Sequence, residues 1–344
     1  DSSVAAAMLK KEGYDVLGIT LKLYAQSGTN NSKSCCSGQD IDDAKKVAQK
    51  YDFPHQTYDY QSRFFTGVID NFIESYSIGE TPIPCIKCNQ TVKFTDLLNS
   101  AIKNKADVLV TGHYVRRIVK DNIIKLYKAL DENKDQSYFL FATLKDQLEY
   151  LRFPLGGYLK SEIRDMADSL QLPVKNKPDS QDICFVTTSS YRQLIDNLKP
   201  DLNIKGNFLD MSGNKIGTHD GIANYTVGQR KGLGISGLKN PVYVIKIDAL
   251  KNNIYLGEEN YLKKTKIYLK DINWLDSSID RTNLNCLAKI RSNQREEKGT
   301  LIFDKDTACF TFEKETNSTS PGQACVFYLD NQVLGGGWIT KTSD

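Results

Sequence analysis

Apolar positions in the first half of the chain alternate between helical and strand periods. SSVAAAMLKKEG (residues 2–13) has helical spacing, with serine at its start and Gly13 at its end. YDVLGITLKLY (14–24) reads as an apolar strand, DIDDAKKVAQKYD (40–52) as a helix and PHQTYDY (54–60) as a short strand. FFTGVIDNFIESYSIG (64–79) and TVKFTDLLNSAIKNKA (91–106) are again helical, and DVLVTGHY (107–114) is a buried-type strand running into a glycine. Such alternation predicts an α/β fold, a parallel sheet covered by helices. A strand normally precedes the first helix of that fold, so one strand and its following loop are expected before Asp1.

The period changes near residue 200. VYVIKID (242–248), NNIYLGE (252–258), KIYLKDINWL (266–275), CLAKIRS (286–292), GTLIFD (299–304), TACFTFE (307–313) and QACVFYL (323–329) are short strands separated by turn clusters. Their regular spacing predicts a small antiparallel barrel. The Gly-rich piece between the two regions, residues 205–237, reads as a long loop, functional or mobile.

A chain of 344 residues, 40% hydrophobic and 25% charged, fits two or three globular domains. No apolar run approaches the roughly 20 residues that cross a bilayer, and no export signal is visible; the expectation is a cytoplasmic protein without a membrane partner. Net charge is +3, but YLKKTKIYLK (261–270) carries four lysines and no acid. That segment suits either a polyanion partner or a solvated face. Eight cysteines are too few for a secreted disulfide scaffold. Cys286, Cys309 and Cys325 lie in alternating segments and read as core.

Ligands in an open parallel sheet bind beyond the carboxyl ends of its strands. Three places qualify: Asp1-Ser2-Ser3 at a helix start, where free N–H groups suit phosphate; Leu21-Lys22 at a strand end; and Thr111-Gly112-His113-Tyr114, where Gly112 permits close approach. Cys184 follows a charged turn, and Lys175 and Lys177 could lower its pKa; the other reading is a buried cysteine in a strand ICFV. The Cys85-x-x-Cys88 pair leaves several readings open. It could complete a zinc site with Cys35 and Cys36, form a redox couple at a helix start, or work with Cys184, one sulfur carrying a transferable atom and the other resolving it. Cys85, Cys88 and Cys184 could instead hold an iron–sulfur cluster with an open iron site.

TPIPCIKCN, TGHY, LDENKDQSYFL, DSQDICF, YTVGQRKGLGI and SPGQACVFY…LGGG occur in this order along essentially the whole chain. Together they resemble the signatures of the tRNA-specific 2-thiouridylase family. The resemblance implies a Rossmann-like PP-loop domain of adenine nucleotide alpha hydrolase type at residues 1–197, a small central domain at 198–258 and a C-terminal antiparallel β-barrel, tRNA-binding, at 259–344. It implies ATP and Mg²⁺ as cofactors, with Asp1, Ser2 and Ser3 at the end of the phosphate loop and Leu21 and Gly112 at the nucleotide. The glycines of the family's loop, SGGVDSS, are not in this sequence. Cys184 matches the persulfide-bearing cysteine and Cys88 the second catalytic cysteine, nucleophile or resolving thiol, with a Cys88–Cys184 disulfide formed in turnover.

For tRNA, the resemblance implies Ile83, Pro84 and Cys85 beside the flipped wobble uridine, His113 close by, and contacts from Lys134, Asp135, Gln136, Arg291, Ser292 and Gln323. Cys85 stands where some members have aspartate, and Ser292 where many have tyrosine. The implied activity is adenylation of the uridine 2-carbonyl followed by sulfur transfer from a persulfide supplied by a relay donor protein. Two alternatives stand beside it: another PP-loop RNA-modifying enzyme, and a non-catalytic thiol-sensing RNA-binding protein.

Overall fold

A computed structural model describes residues 1–24, 38–179, 183–186, 191–235, 240–317 and 319–344. Cys35 and Cys36, and with them the four-cysteine zinc reading, lie outside these residues. The chain divides into two compact units. One comprises Asp1–Ile69, Cys85–Thr187 and Asn331–Val333; the other comprises Asp70–Pro84, Thr188–Asp330 and Leu334–Asp344.

The first unit opens with α1 (Ser2–Lys11), β1 (Gly18–Lys22), α2 (Gly38–Tyr51) and β2 (His55–Asp59). β1 and β2 pair in parallel from Gly18↔His55 to Lys22↔Asp59, and Thr20 Oγ1 meets His55 Nε2 at 2.8 Å. Val4, Ala5 and Ala7 of α1 bury against Val47 and Ala48 of α2 in a cluster that includes Phe53, Tyr114, Leu155 and Ile163. The small residues let the helices approach closely, while the larger ones fill the space beside them.

After β2 come α3 (Gln61–Phe64), a π-helical turn (Phe65–Ile69) and α4 (Asp70–Ser77). Then follow α5 (Pro84–Cys88), a π-helical stretch over Asn89–Leu97 and α6 (Leu98–Lys103). Proline suits the first helical position because its missing N–H has no partner there. The expected strand 107–114 is reduced to β3 (Leu109–Val110), and the rest of the segment forms the loop Thr111–Tyr114. A hairpin follows that the apolar pattern did not announce: β4 (Val115–Lys120) and β5 (Ile123–Lys128). Its turn, Asp121-Asn122, has φ of 52° and 59°, the left-handed pair that matches strand twist and that Asp and Asn tolerate. Next come α7 (Lys145–Tyr150), β6 (Leu151–Arg152), which pairs in parallel with β3, and α8 (Lys160–Ser169). Residues 183–186 form a turn closed by Val186 N–H to Ile183 O at 3.0 Å, so the strand reading of ICFV is corrected.

The second unit starts its central part with α9 (Tyr191–Leu198), β7 (Gly206–Leu209) and β8 (Lys215–His219), then β9 (Tyr243–Asp248) and β10 (Asn253–Gly257). The sheet order is β8-β7-β10-β9, with β7 and β10 parallel and the other pairs antiparallel. The Gly-rich stretch is therefore folded where described: β7 and β8 form its first part and a 3₁₀ turn at Ile222–Asn224 follows. Phe208, Ile222, Tyr225, Val227 and Leu233 from this stretch are core residues, which is the reason it does not remain a loop.

The barrel follows, with β11 (Lys263–Trp274), β12 (Leu284–Lys289), β13 (Glu297–Asp304), β14 (Thr307–Asn317), β15 (Ala324–Leu329) and β16 (Gln332–Ser343). Strands run β11-β14-β13-β12-β15-β16, and β11 pairs with β16 to close a six-stranded barrel. Closure leaves neither strand edge unpaired. Ile267, Leu269, Phe310, Phe327 and Ile339 fill the interior, and Phe310 stacks edge-on to Phe312 at 5.0 Å.

Phe310 is 0% exposed, so Phe310→Ala should destabilise the chain by about 3–5 kcal/mol. Urea unfolding followed by tryptophan fluorescence checks this, because Trp274 lies in the same core.

Candidate functional site

Asp1 occupies the N-cap position of α1, but its side chain does not cap the helix. Its Oδ1 instead accepts hydrogen bonds from Tyr114 Oη at 2.6 Å and Lys160 Nζ at 2.7 Å. The same Lys160 ammonium lies 2.9 Å from Asp179 Oδ1, while Lys134 Nζ donates to Asp179 Oδ2 at 2.8 Å. Arg164 stands 3.8 Å from the first of these oxygens. Three cations thus face two carboxylates beside a helix N-terminus, an arrangement with net positive field suited to an anion.

Burial works to raise the Asp179 pKa, but the hydrogen bonds and charges of Lys134 and Lys160 outweigh it and hold the carboxyl at about 2. Burial, with the carboxylates of Asp179 and Asp131, pushes the Tyr114 phenol up, so it remains a hydrogen-bond donor to Asp1.

Gly112 sits against this helix start. A Cβ there would lie 2.6 Å from Ser2 N and 3.1 Å from Asp1 Cβ. The chain's own helix therefore makes a close approach that Gly112 was expected to allow a ligand. Leu21 is buried near the end of β1, and Lys22 after it is exposed.

His113 lies between the rings of Phe94 and Phe153, at 5.8 and 6.4 Å, with Nδ1 2.9 Å from Thr111 Oγ1. Burial, helped by the Lys93 charge, lowers its pKa to about 3. The ring is neutral at ordinary pH and serves as a hydrogen-bonding group rather than a charge.

Cys85 is exposed and Cys88 buried, at opposite ends of α5, with Ile86 between them anchoring the helix at 0% exposure. Cys184 is half-buried. Phe185, next to it, packs edge-on against Phe64 of α3 at 5.7 Å. Gly67, three residues after Phe64, lies against Thr91; a Cβ at Gly67 would be 3.6 Å from Thr91 Oγ1. Thr91 Oγ1 in turn donates to Lys87 O at 2.8 Å, in the helix that carries Cys88. This chain of contacts links the turn bearing Cys184 to the helix bearing Cys88 inside one unit. Lys175 and Lys177, expected beside Cys184, are engaged by carboxylates: Lys175 by Asp168 at 2.8 Å, Lys177 by Asp40 and Asp43. Among the described residues, no group of three or more His, Cys, Asp or Glu is gathered to hold a metal ion. The three-thiolate cluster ligand set of Cys85, Cys88 and Cys184 is therefore not formed in this structure.

In the KDQ stretch, Lys134 serves Asp179, Asp135 accepts from Ala129 N, Ser137 N and Ser137 Oγ, and Gln136 Oε1 accepts from Tyr114 N at 2.8 Å. Of these, Gln136 braces the loop that carries His113 and Tyr114, while Asp135 ties its own loop together. In the second unit, Arg291 lies against Gly228, Ser292 is exposed, and Gln323 Nε2 donates to Thr81 O at 2.9 Å, two residues before Ile83. Pro84 is buried and Ile83 half-buried.

Three family models match along the chain: the tRNA methyl transferase HUP domain over residues 1–188, the tRNA methyl transferase PRC-barrel domain over 195–258 and the aminomethyltransferase beta-barrel domain over 264–339. A tRNA-specific 2-thiouridylase MnmA of Rickettsia bellii (strain OSU 85-389) is 49% identical over 344 residues, covering 99% of this chain and 94% of the relative. Proteins of the same name from Rickettsia massiliae (strain Mtu5) and a Wolbachia of Drosophila simulans (strain wRi) are 48% and 49% identical, over 99% and 98% of this chain and 94% and 92% of their own lengths. The chain belongs to the tRNA-specific 2-thiouridylase family.

The HUP match places α1, β1, α2 and β2 in the Rossmann-like domain of this 2-thiouridylase family, and the PRC-barrel and β-barrel matches cover the two parts of the second unit. Reasoning from residues alone missed Lys160, Asp179 and Asn89 as site members. Asp179 sits inside a quoted signature, but nothing in the local sequence around Lys160 marks it. Asn89, next to Cys88, donates from Nδ2 to Phe139 O at 3.2 Å, while its buried Oδ1 has no protein donor.

The chain has three histidines, and burial lowers the pKa of each: His55, with Lys45 adding to it, His113, to about 3, and His219. The unfolded chain takes up these protons near pH 6.5 and the folded chain only at lower pH. Stability should therefore fall as pH drops from about 6.5 toward 5, by up to about 1.4 kcal/mol per pH unit for each fully shifted group. Urea unfolding at pH 7.5 and 5.5 measures the slope, and His113→Gln should flatten it.

Proposed function

We propose that this chain is a tRNA-uridine 2-sulfurtransferase, which uses ATP to activate the 2-carbonyl of the wobble uridine and replaces its oxygen with sulfur to give 2-thiouridine. Near-complete alignment with proteins named tRNA-specific 2-thiouridylase supports the substrate and product. The observation that carries the mechanism is Lys160, whose one ammonium holds both Asp1 at the start of α1 and Asp179, five residues before Cys184. It couples an anion-favouring helix start to the cysteine-bearing segment. A soluble, cytoplasmic setting suits a tRNA substrate, and no helix among the described residues is long and apolar enough to cross a membrane.

In the proposed reaction, the uridine O2 attacks the α-phosphorus of ATP and pyrophosphate leaves, converting a poor leaving group to AMP. The α1 N–H groups and the Lys134, Lys160 and Arg164 cations stabilise the departing charge, with Leu21 and Gly112 beside the nucleotide. Asp1 is the carboxylate able to share a phosphate-borne Mg²⁺ ion, which supplies further charge neutralisation. The terminal sulfur of a Cys184 persulfide, loaded by a sulfur-relay donor protein, attacks carbon 2, and AMP departs with the original oxygen. The Cys88 thiolate attacks the Cys184 sulfur, so the terminal sulfur stays on the base and a Cys88–Cys184 disulfide remains. A dithiol reductant supplies the two electrons that reset both thiols.

Ile83, Pro84, Cys85 and neutral His113 frame the extruded base, with the KDQ loop, Arg291, Ser292 and Gln323 as further tRNA contacts. With cysteine at 85 in place of a carboxylate, the base must be deprotonated elsewhere.

Incubation of the protein with ATP, a persulfide donor and unmodified tRNA should yield 2-thiouridine at the wobble position by nucleoside mass spectrometry. Cys184→Ser and Cys88→Ser should each abolish turnover. Full multi-turnover activity in Cys88→Ser would overturn its role, and methylated tRNA formed with S-adenosylmethionine would overturn sulfur transfer itself.

Asp179→Asn keeps the fold but weakens the tie to Lys160 and Lys134. Multi-turnover thiolation should fall by at least tenfold while binding of tRNA, measured by filter retention, stays within about twofold.

A further inference from the structure

Cys85 takes no chemical step in the reaction proposed above, yet it shares α5 with a cysteine that does. The two thiols differ in access: Cys85 is exposed, while Cys88 is buried at 7% exposure. Ile86 between them is fully buried and anchors the helix. Residues three apart on a helix are neighbours on one face, with about 5–6 Å between their Cβ atoms. A disulfide needs about 3.5–4.5 Å between the same atoms, so a shift of about 1–2 Å joins such a pair.

The local structure lets Cys85 make that shift. It follows Pro84, the first residue of α5, and the N–H groups of a first helical turn have no acceptor one turn back. The chain after Cys85 is held more firmly. Thr91 Oγ1 donates to Lys87 O at 2.8 Å, and the buried Asn89 donates to Phe139 O at 3.2 Å. The pair therefore closes by movement of Cys85 toward a fixed Cys88.

The proposed reaction ends with Cys88 and Cys184 joined, and neither sulfur is open to solvent: Cys88 is buried and Cys184 half-buried. Thiol–disulfide exchange depends on the access of the attacking thiolate to the sulfur it attacks. A protein reductant meets a shielded bond there. Cys85 meets the same bond from within the helix that carries it, and is itself open to solvent.

We infer that Cys85 is the resolving thiol that regenerates the enzyme after each sulfur transfer, an inference that rests on the sulfur-transfer reading above. The Cys85 thiolate, its proton lost to water, attacks Cys88 Sγ. A Cys85–Cys88 bond forms, the Cys88–Cys184 bond breaks, and Cys184 leaves as a thiolate ready for the next persulfide sulfur. No net electrons enter in this exchange. The dithiol reductant then attacks exposed Cys85 Sγ, and Cys88 leaves with a proton from water. The second thiol of the reductant displaces Cys85 from the mixed disulfide, so two electrons pass to the pair and the reductant is oxidised to its own disulfide. A carboxylate at position 85 could not take this step.

The test uses the full chain, loaded with a small-molecule persulfide, freed of excess and mixed with ATP and unmodified tRNA without reductant. After one turnover the chain is quenched in acid, alkylated and mapped by peptide mass spectrometry. Wild type should hold Cys85–Cys88 as its main disulfide, and Cys85→Ser should hold Cys88–Cys184. In steady turnover with reduced thioredoxin, the fraction of Cys85→Ser trapped as Cys88–Cys184 should exceed that of wild type by at least about fivefold. If wild type forms 2-thiouridine but keeps Cys88–Cys184 as its main disulfide, the inference is overturned; an unchanged trapped fraction in Cys85→Ser overturns it equally. If Cys85→Ser makes no 2-thiouridine, the wild-type disulfide map decides alone. Wild type that makes none overturns the sulfur-transfer reading and this step with it, and the nucleoside product tells the two failures apart.

Discussion

One ammonium group organises the first unit. Lys160 stands at the first position of α8 and reaches two carboxylates that are 178 residues apart in sequence, Asp1 and Asp179. An isolated exposed ion pair contributes about 0–1 kcal/mol, so stability does not explain this arrangement. Its value is positional. The Lys160 side chain is 13% exposed and lies 5.5 Å over the Tyr114 ring, which limits its rotamers and fixes where both acids sit. An ordered cation at a helix start is also a preformed site for phosphate, because the field is in place before the ligand arrives. Under the proposed function, the group that positions Asp179 is also the group that would favour the nucleotide, so loading one site would change the electrostatic environment of the other.

The same economy holds around the loop Thr111–Tyr114. Gln136 and Tyr114 exchange two hydrogen bonds, Gln136 N to Tyr114 O at 2.9 Å and Tyr114 N to Gln136 Oε1 at 2.8 Å. Asp135 gathers three donors of its own loop. A motif whose polar side chains satisfy backbone groups this fully is rigid, and rigidity is what a base-reading surface needs. Internal bracing and RNA contact are compatible, since the carbonyls and rings such a loop presents are held by the very bonds that occupy its side chains.

Much of this was legible along the chain, and the failures have physical causes. α1, α2, β1 and β2 fall where the apolar periods put them; α1, α2 and β1 each bury part of one face, while β2 is held by its parallel pairing to β1. The strand expected at 107–114 shrank to two paired residues because apolar runs report burial, not pairing, and pairing here depends on β6 some forty residues later. The hairpin β4–β5 escaped notice because Arg116 and Arg117 interrupt its apolar alternation and its Asp-Asn turn is a less obvious signal than Asn-Gly. β16 was not among the expected strands, because its three glycines carry no apolar alternation, although every residue from Gln332 to Gly337 is buried. At the site, the cysteines and the glycine were visible as motifs. Lys160 was not, since a lysine at a helix start has no local signature; only the fold gives it two acids.

Two asparagine amides end the account, since each is buried with an acceptor oxygen that no protein group satisfies. Asn89 follows Cys88, and Asn224 donates to Asn203 Oδ1, while Asn203 Nδ2 donates to Asp196. In both cases the donor half of the amide is committed, to Phe139 O and to Asn203 Oδ1, so the amide cannot rotate to hide its oxygen without losing a bond it has. A leucine of similar volume would remove the desolvation penalty at either position, and the fold offers no structural reason against it. Both oxygens are sealed from solvent, so the folded chain itself carries the cost of the two unmade bonds, and the committed donor halves hold each amide in its orientation.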